Sequence, residues 1–256
     1  MVFHTQKALD AFAAYAAHYN DQDPKVRLKI DHTYRVAGLC RRIARSLDLP
    51  EEEVRLAWLC GLLHDVGRFE QLRRFGTFID AQSIDHAACG AQVLFGEGHI
   101  RDYLDDDSED ELLHQAVALH SVYRLPPLDE RTARFCNILR DADKIDILRA
   151  NVEFPLEDIY NVSREELYHS PISAGVAEAF YEHHAVLRTL RHGPIDNIVG
   201  HMSLVYELVF PESLRTVKEQ GWLEKLMAFS SENAETAHTL SGMRAHMHAW
   251  LEEQLA

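Results

Sequence analysis

The chain has 256 residues, enough to bury a sizeable core as one large domain or one domain with a substantial extension. Its 26 basic residues against 41 acidic ones give a formal charge of -15, which argues against nucleic-acid binding through general phosphate neutralisation. Met1-Val2-Phe3-His4-Thr5-Gln6-Lys7 lacks the layout of a signal peptide and no apolar run approaches bilayer length, so a soluble cytoplasmic protein with no membrane partner is expected.

Helical periodicity runs from end to end, without an alternating strand or an Asn-Gly hairpin, and predicts an all-α protein. After an N-terminal helix within residues 1–23, Asp23-Pro24 reads as an N-cap followed by proline at the first helical position. The helix it opens carries Val36, Leu39, Cys40, Ile43 and Leu47 on one stripe, and His32 lies four residues before Val36 on the same face. Pro50 followed by Glu51-Glu52-Glu53 opens the next helix, with acids at the positive end of its dipole. That helix runs through Leu56-Ala57-Trp58-Leu59-Cys60-Gly61-Leu62-Leu63 and delivers His64-Asp65. An imidazole and a carboxylate after so apolar a run are costly unless paired or metal-bound.

A glycine-punctuated stretch, Gly67 to Gln82, interrupts the pattern, and Ser83 is expected to cap a helix containing His86, Cys89, Gly90, Val93 and Leu94. The acidic run from Asp105 to Glu111 lacks the spaced glycine and terminal glutamate of an EF-hand loop, so it reads as a loop and a favourable helix N-terminus. It precedes Leu113, Ala116, Val117 and His120, an i, i+3, i+4, i+7 series that turns His120 inward. Pro126-Pro127 ends that helix, and a long one opens at Asp129 in which Phe135, Leu139, Ala142, Asp143 and Ile147 share a face.

Beyond Phe154-Pro155 shorter helices are separated by Ser170-Pro171, Gly193-Pro194 and Pro211, and an amphipathic helix closes the chain from about Glu232. No flexible linker intervenes, so residues 151–256 are expected to form a helical extension packed on the same core as residues 24–150. Cys40, Cys60, Cys89 and Cys136 stand singly with no C-x-x-C spacing and read as small core residues. His183-His184 reads as a solvated face, because adjacent helical positions diverge by about 100°. His201 reads as a satisfied core histidine.

His32, His64, Asp65, His86, His120 and Asp143 together offer more ligands than one metal usually needs when substrate and water also bind, and suit two metals bridged by one carboxylate. The ordered set H…HD…H…H…D, with Asp141-Ala142-Asp143-Lys144-Ile145-Asp146, resembles the HD-domain superfamily of metal-dependent phosphohydrolases over roughly residues 24–150. The resemblance implies an HD-domain-like helical bundle. It implies that His32, His64, Asp65 and Asp143 bind a first metal, that Asp65 bridges, and that His86 and His120 complete a second site. Two divalent transition-metal ions follow from it, Fe or Mn foremost, with Ni, Co, Zn or Mg as alternatives.

The activity implied is hydrolysis of a phosphomonoester or phosphodiester of a nucleotide or another small phosphorylated metabolite through a metal-bound hydroxide. Lys144 and Arg68 are candidates for neutralising or binding substrate phosphate, with Arg73 and Arg74 behind them. His120-Ser121-Val122-Tyr123-Arg124 lacks the paired histidine and Gly-Tyr-Pro of cyclic dinucleotide phosphodiesterases. Val66-Gly67-Arg68-Phe69-Glu70 lacks the Glu-Asp pair of alarmone hydrolases, and the Pro-Phe of deoxynucleoside triphosphatases is absent. Two other readings stay open: a di-iron oxygenase on the same ligands, and a catalytically silent metal-containing ligand-binding module.

Overall fold

The computed structural model describes residues 4–256, and among them there is no strand. Two compact units result, one ending at Asp143 and the other beginning at Lys144. The helices of the first stretch are α1 (Thr5–Ala16), α2 (Pro24–Ser46), α3 (Glu51–Leu63), α4 (Val66–Phe75), α5 (His86–Ala91), α6 (Ile100–Tyr103), α7 (Asp110–Leu119) and α8 (Glu130–Glu153). Those that follow are α9 (Leu156–Tyr160), α10 (Arg164–His169), α11 (Ala174–Tyr181), α12 (Pro194–Met202), α13 (Pro211–Gln220), α14 (Trp222–Met227) and α15 (Ala234–Leu255). The boundary between the units falls inside α8, where the sequence reading put it at residue 150.

In the first unit α3 is the central helix. Val54 and every residue from Leu56 to Leu63 are buried, the pattern of a helix covered all round rather than on one stripe. The start of α2 is as expected: the Asp23 carboxylate accepts the Lys25 N–H at 2.8 Å, and Pro24 occupies the first turn. α2 buries Val36, Ala37, Cys40, Ile43 and Ala44. α1 adds Ala8, Phe12 and Ala16, with the Phe12 ring 6.0 Å from Phe69 of α4 in an edge-to-face contact.

Two glycines set how closely these helices approach. A Cβ on Gly61 would lie 2.6 Å from the Ala37 Cα, so α2 and α3 cross at backbone distance and His32 and His64 are drawn together. A Cβ on Gly67 would fall 2.2 Å from the His86 carbonyl oxygen and 2.5 Å from the Gly90 nitrogen, so α4 lies directly on α5. Since neither obstacle is a flexible side chain, Gly67→Ala should destabilise the protein by about 3 kcal/mol, the upper end for overpacking. A lower urea midpoint at unchanged slope is the expected reading, and an unaltered midpoint would contradict the close approach.

The helix carrying His86 starts later than its sequence signal. Asp85, not Ser83, is the cap: its carboxylate accepts the Ala87 and Ala88 N–H groups at 2.9 and 3.1 Å. The Ser83 hydroxyl instead donates to the Ile79 carbonyl and accepts from the Gln71 amide, each at 2.8 Å. α7 and α8 lie where periodicity put them, and Asp129 accepts the Thr132 N–H at 3.0 Å.

The second unit builds its core from Val176, Phe180, Ile195, Ile198, Val199, Met202, Leu226, Met243 and Met247, among others. α15 opens at Ala234, two residues after the expected start, with Asn233 accepting the Thr236 N–H at 3.0 Å. Cys40, Cys60 and Cys136 are buried and Cys89 is half-buried, all as free thiols. His183 and His184 are exposed as expected, although the His183 ring stacks on His246 with centroids 4.8 Å apart. Among the described residues no helix is long and apolar enough to cross a membrane.

Candidate metal centre

The six residues singled out in the sequence converge within the first unit. His32 projects from α2, His64 and Asp65 from the junction of α3 and α4, His86 from the start of α5, His120 from the end of α7 and Asp143 from α8. His32, His64, Asp65, His86 and His120 are buried and Asp143 is mostly so. His32, His64 and Asp143 present ligand atoms all within 4.8 Å of one another, and so do His64, Asp65 and His120.

Asp65 divides its two oxygens between two groups of histidines. Its Oδ2 lies 3.5 Å from Nε2 of both His32 and His64, while its Oδ1 lies 3.7 Å from Nε2 of both His86 and His120. On the Oδ2 side, Asp143 Oδ1 stands 3.1 Å from His32 Nε2 and 3.8 Å from His64 Nε2. One carboxylate therefore faces both groups of imidazoles.

The tautomers test whether metals fit. His64 Nδ1–H donates to the Gly61 carbonyl at 2.8 Å, His120 Nδ1–H to the Val117 carbonyl at 2.7 Å, and His86 Nδ1–H to the Asp80 carboxylate at 2.7 Å. With their protons assigned to Nδ1, all three rings turn an Nε2 lone pair inward. His86 Nε2 and His120 Nε2 are then two lone pairs facing at 3.0 Å. That repulsion is relieved by a cation between them, and the spacing suits two imidazoles bound at about 2.1 Å to one ion.

The charge states agree. Burial lowers the His64 pKa to about 4 despite the nearby Asp65 and Asp143, and burial lowers His86 to about 4 despite its bond to Asp80. Burial alone would raise Asp65, but the Lys29 ammonium and then His64 outweigh it and hold the carboxyl well below its usual range. At Asp143 burial is likewise overcome, here by the His32 hydrogen bond and the field of His64. Neutral imidazoles and ionised carboxylates are the forms that ligate metals.

Four residues not singled out in the sequence support this centre. Lys29, one turn before His32, donates to Asp65 Oδ2 at 2.7 Å and holds the shared carboxylate in place. Asp80 orients His86, and Gln71 holds Asp80 at 2.8 Å. Arg140, a buried guanidinium on α8, donates to the carbonyls of Leu119, His120 and Tyr123 and so anchors the end of α7 that carries His120. Removing the Asp80 carboxylate by Asp80→Ala should weaken any ion that His86 and His120 would hold about 10- to 100-fold, with a smaller effect on one at His32 and His64. Chelator competition would register this, and equal weakening of both ions would count against the assignment.

The remaining candidates are placed as follows. Arg68 stands beside Asp65, its Nε 3.7 Å from Oδ1, while Nη1 serves Gln71, the Phe78 carbonyl and Asp80 at 2.6–2.8 Å. What the structure shows Arg68 doing is ordering the loop that brings Asp80 to His86. Lys144 donates to the Glu207 carbonyl at 3.2 Å within the second unit. Arg73 and Arg74 both donate to Glu70 Oε2, at 2.6 and 2.9 Å. His201, read as a satisfied core histidine, is half-buried, with its Nδ1 3.0 Å from the Tyr160 hydroxyl.

No curated protein and no solved structure matches the chain. Residues 30–148 match the family model described as HD domain, and this stretch holds all six converging residues.

Proposed function

We propose that the protein is a metal-dependent phosphohydrolase that cleaves a phosphomonoester or phosphodiester of a nucleotide or small phosphorylated metabolite. The HD domain points to the metal-dependent hydrolase superfamily. The observation that carries the reading further is the division of the Asp65 oxygens between His32 and His64 on one side and His86 and His120 on the other. His32, His64 and Asp143 would hold one divalent ion, His86 and His120 the other, and Asp65 both. When bound, such a pair supplies Lewis acidity toward a phosphoryl oxygen and a nucleophile at neutral pH.

The chain's own residues prepare that chemistry. The Gly61 and Val117 carbonyls and the Asp80 carboxylate fix the inward nitrogens of His64, His120 and His86 before any ion arrives. Lys29 holds Asp65 ionised and sets a positive charge beside the centre, where an anionic phosphoryl group would be drawn. Arg68 adds to that field through its approach to Asp65. Lys144 and Arg68 remain our candidates for contacts to substrate phosphate.

The test is metal analysis of protein purified without chelator, followed by a panel of phosphomonoesters and phosphodiesters assayed with added manganese or iron. Release of phosphate or alcohol without oxygen uptake is the expected result. A protein that carries two ions per chain and hydrolyses nothing in the panel would overturn the reading, and substrate-dependent oxygen consumption would replace it with the oxygenase.

A further inference from the structure

The second unit contains a cationic cluster that forms no ion pair among the described residues. Arg191 follows the 3-10 turn Arg188–Leu190, whose i, i+3 geometry brings Arg188 and Arg191 to the same side. The Arg191 guanidinium lies against the backbone of α12: a Cβ on Gly200 would fall 2.4 Å from its Cζ and 2.6 Å from both Nε and Nη2. Nη2 donates to the Val186 carbonyl at 2.9 Å, and Nε is buried without an acceptor among the described residues.

No carboxylate of the described residues forms an ion pair with either arginine. Asp196, whose field reaches Arg191, is already engaged: its oxygens accept the N–H groups of Ser173, His192 and Gly193 and the Ser173 hydroxyl, at 2.7–2.9 Å. Burial, and then the like charge of Arg188, push Arg191 down to about 10. A guanidinium withdrawn from water without a partner is costly, and a chain with 41 acidic residues against 26 basic ones has carboxylates to spare.

The neighbouring polar groups supply no counter-charge either. The Asn151 amide N–H donates to the Ile147 carbonyl at 2.8 Å, so its oxygen receives the Tyr160 hydroxyl at 2.6 Å. The Tyr160 oxygen then accepts the His201 Nδ1–H at 3.0 Å. Burial, with Arg191 and Arg188 adding to it, holds that imidazole at about 3. Among the described residues neither guanidinium has an ion-pair partner, and Arg188 is exposed, so the cluster opens to solvent.

We propose that Arg191 and Arg188 form a binding site for a phosphoryl dianion, free or carried by a small molecule. Two neighbouring cations match a dianion better than a monoanionic carboxylate, and the guanidinium fork suits phosphate oxygens. Gly200 is the residue that leaves room for the Arg191 guanidinium. The site lies wholly in the second unit and does not depend on the reading of the metal centre.

The experiment is thermal unfolding of the full chain with inorganic phosphate, against chloride at matched ionic strength. Phosphate should raise the melting temperature of the wild-type protein, and of Asp65→Asn, in which the metal centre is disabled. Arg191→Met and Gly200→Ala, which removes or expels the guanidinium, should lose that rise, and the exposed Arg188→Gln should reduce it. In phosphate-free buffer Arg191→Met should melt at or above the wild type, because a half-buried charge without an ion-pair partner has gone. Adenosine monophosphate as a second probe separates the sources: a response at lower concentration than phosphate identifies a phosphorylated small molecule, and an equal response identifies free phosphate. Three results would overturn the proposal: no phosphate response, a response lost in Asp65→Asn but kept in Arg191→Met, or Arg191→Met melting well below the wild type in phosphate-free buffer.

Discussion

Asp65→Asn is expected to empty both of the proposed cation sites at once, lowering bound metal to near zero and the proposed hydrolase activity by about a thousandfold or more. The reason is geometric. Oδ2 faces His32 and His64 and Oδ1 faces His86 and His120, so one carboxylate serves both groups. An asparagine of the same shape keeps one oxygen and turns an NH2 toward the other pair of nitrogens, where it donates to a lone pair instead of sharing a cation. Lys29 loses its ionic partner too, but it is 17% exposed and can extend its ammonium to water. His120→Ala removes a proposed ligand from one side only, so it should deplete one ion and leave most of the other. Mass-spectrometric metal content per chain decides the matter. Retention of one full ion in Asp65→Asn, or equal depletion of both by His120→Ala, would contradict a shared carboxylate.

How much of this centre could be read from the sequence follows from where each residue sits on its helix. His32, His120 and Asp143 break apolar stripes, and His64-Asp65 ends a helix that is buried all round, so each announces itself as an inward polar group. The residues that hold them do not. Asp80 and Gln71 belong to or border a stretch with no periodicity, and only their contacts show that they fix His86. Lys29 had a signal, its i, i+3 relation to His32, but a lysine near the start of a helix is ordinary surface chemistry until its partner is known. Arg140 acts on backbone carbonyls, which no side-chain pattern encodes. The misplaced cap before His86 has the same origin: Ser83 and Asp85 are both good capping residues, and the choice belongs to Gln71 and Ile79, which engage the serine hydroxyl. The Arg188 and Arg191 pair is hidden for a further reason, since what marks it is an ion pair that the described residues do not form.

Metal-free protein should lose stability steeply as the pH falls from 6.5 to about 4. His64 and His86 are held at about 4 by burial, and His201 at about 3, against an unfolded value near 6.5. Between those limits the unfolded chain binds more protons than the folded one, so stability is full above pH 6.5 and falls as the pH drops toward the folded pKa. A depression from 6.5 to about 4 corresponds to about 3 kcal/mol for each of His64 and His86, large against the roughly 5–15 kcal/mol of an ordinary domain. Asp65 and Asp143 have depressed folded values, so their stabilisation is present above about pH 4 and is lost only at still lower pH. Bound ions should oppose the loss at His64 and His86, because ligation requires the neutral imidazole, and should leave the contribution of His201 untouched. Urea midpoints at several pH values, with and without metal, resolve the two parts. His201→Phe should remove the part that metal does not protect. An unchanged midpoint between pH 7.5 and 5 in the metal-free protein would show that these rings are not buried as neutral bases, and the lone pairs assigned to the centre would fall with them.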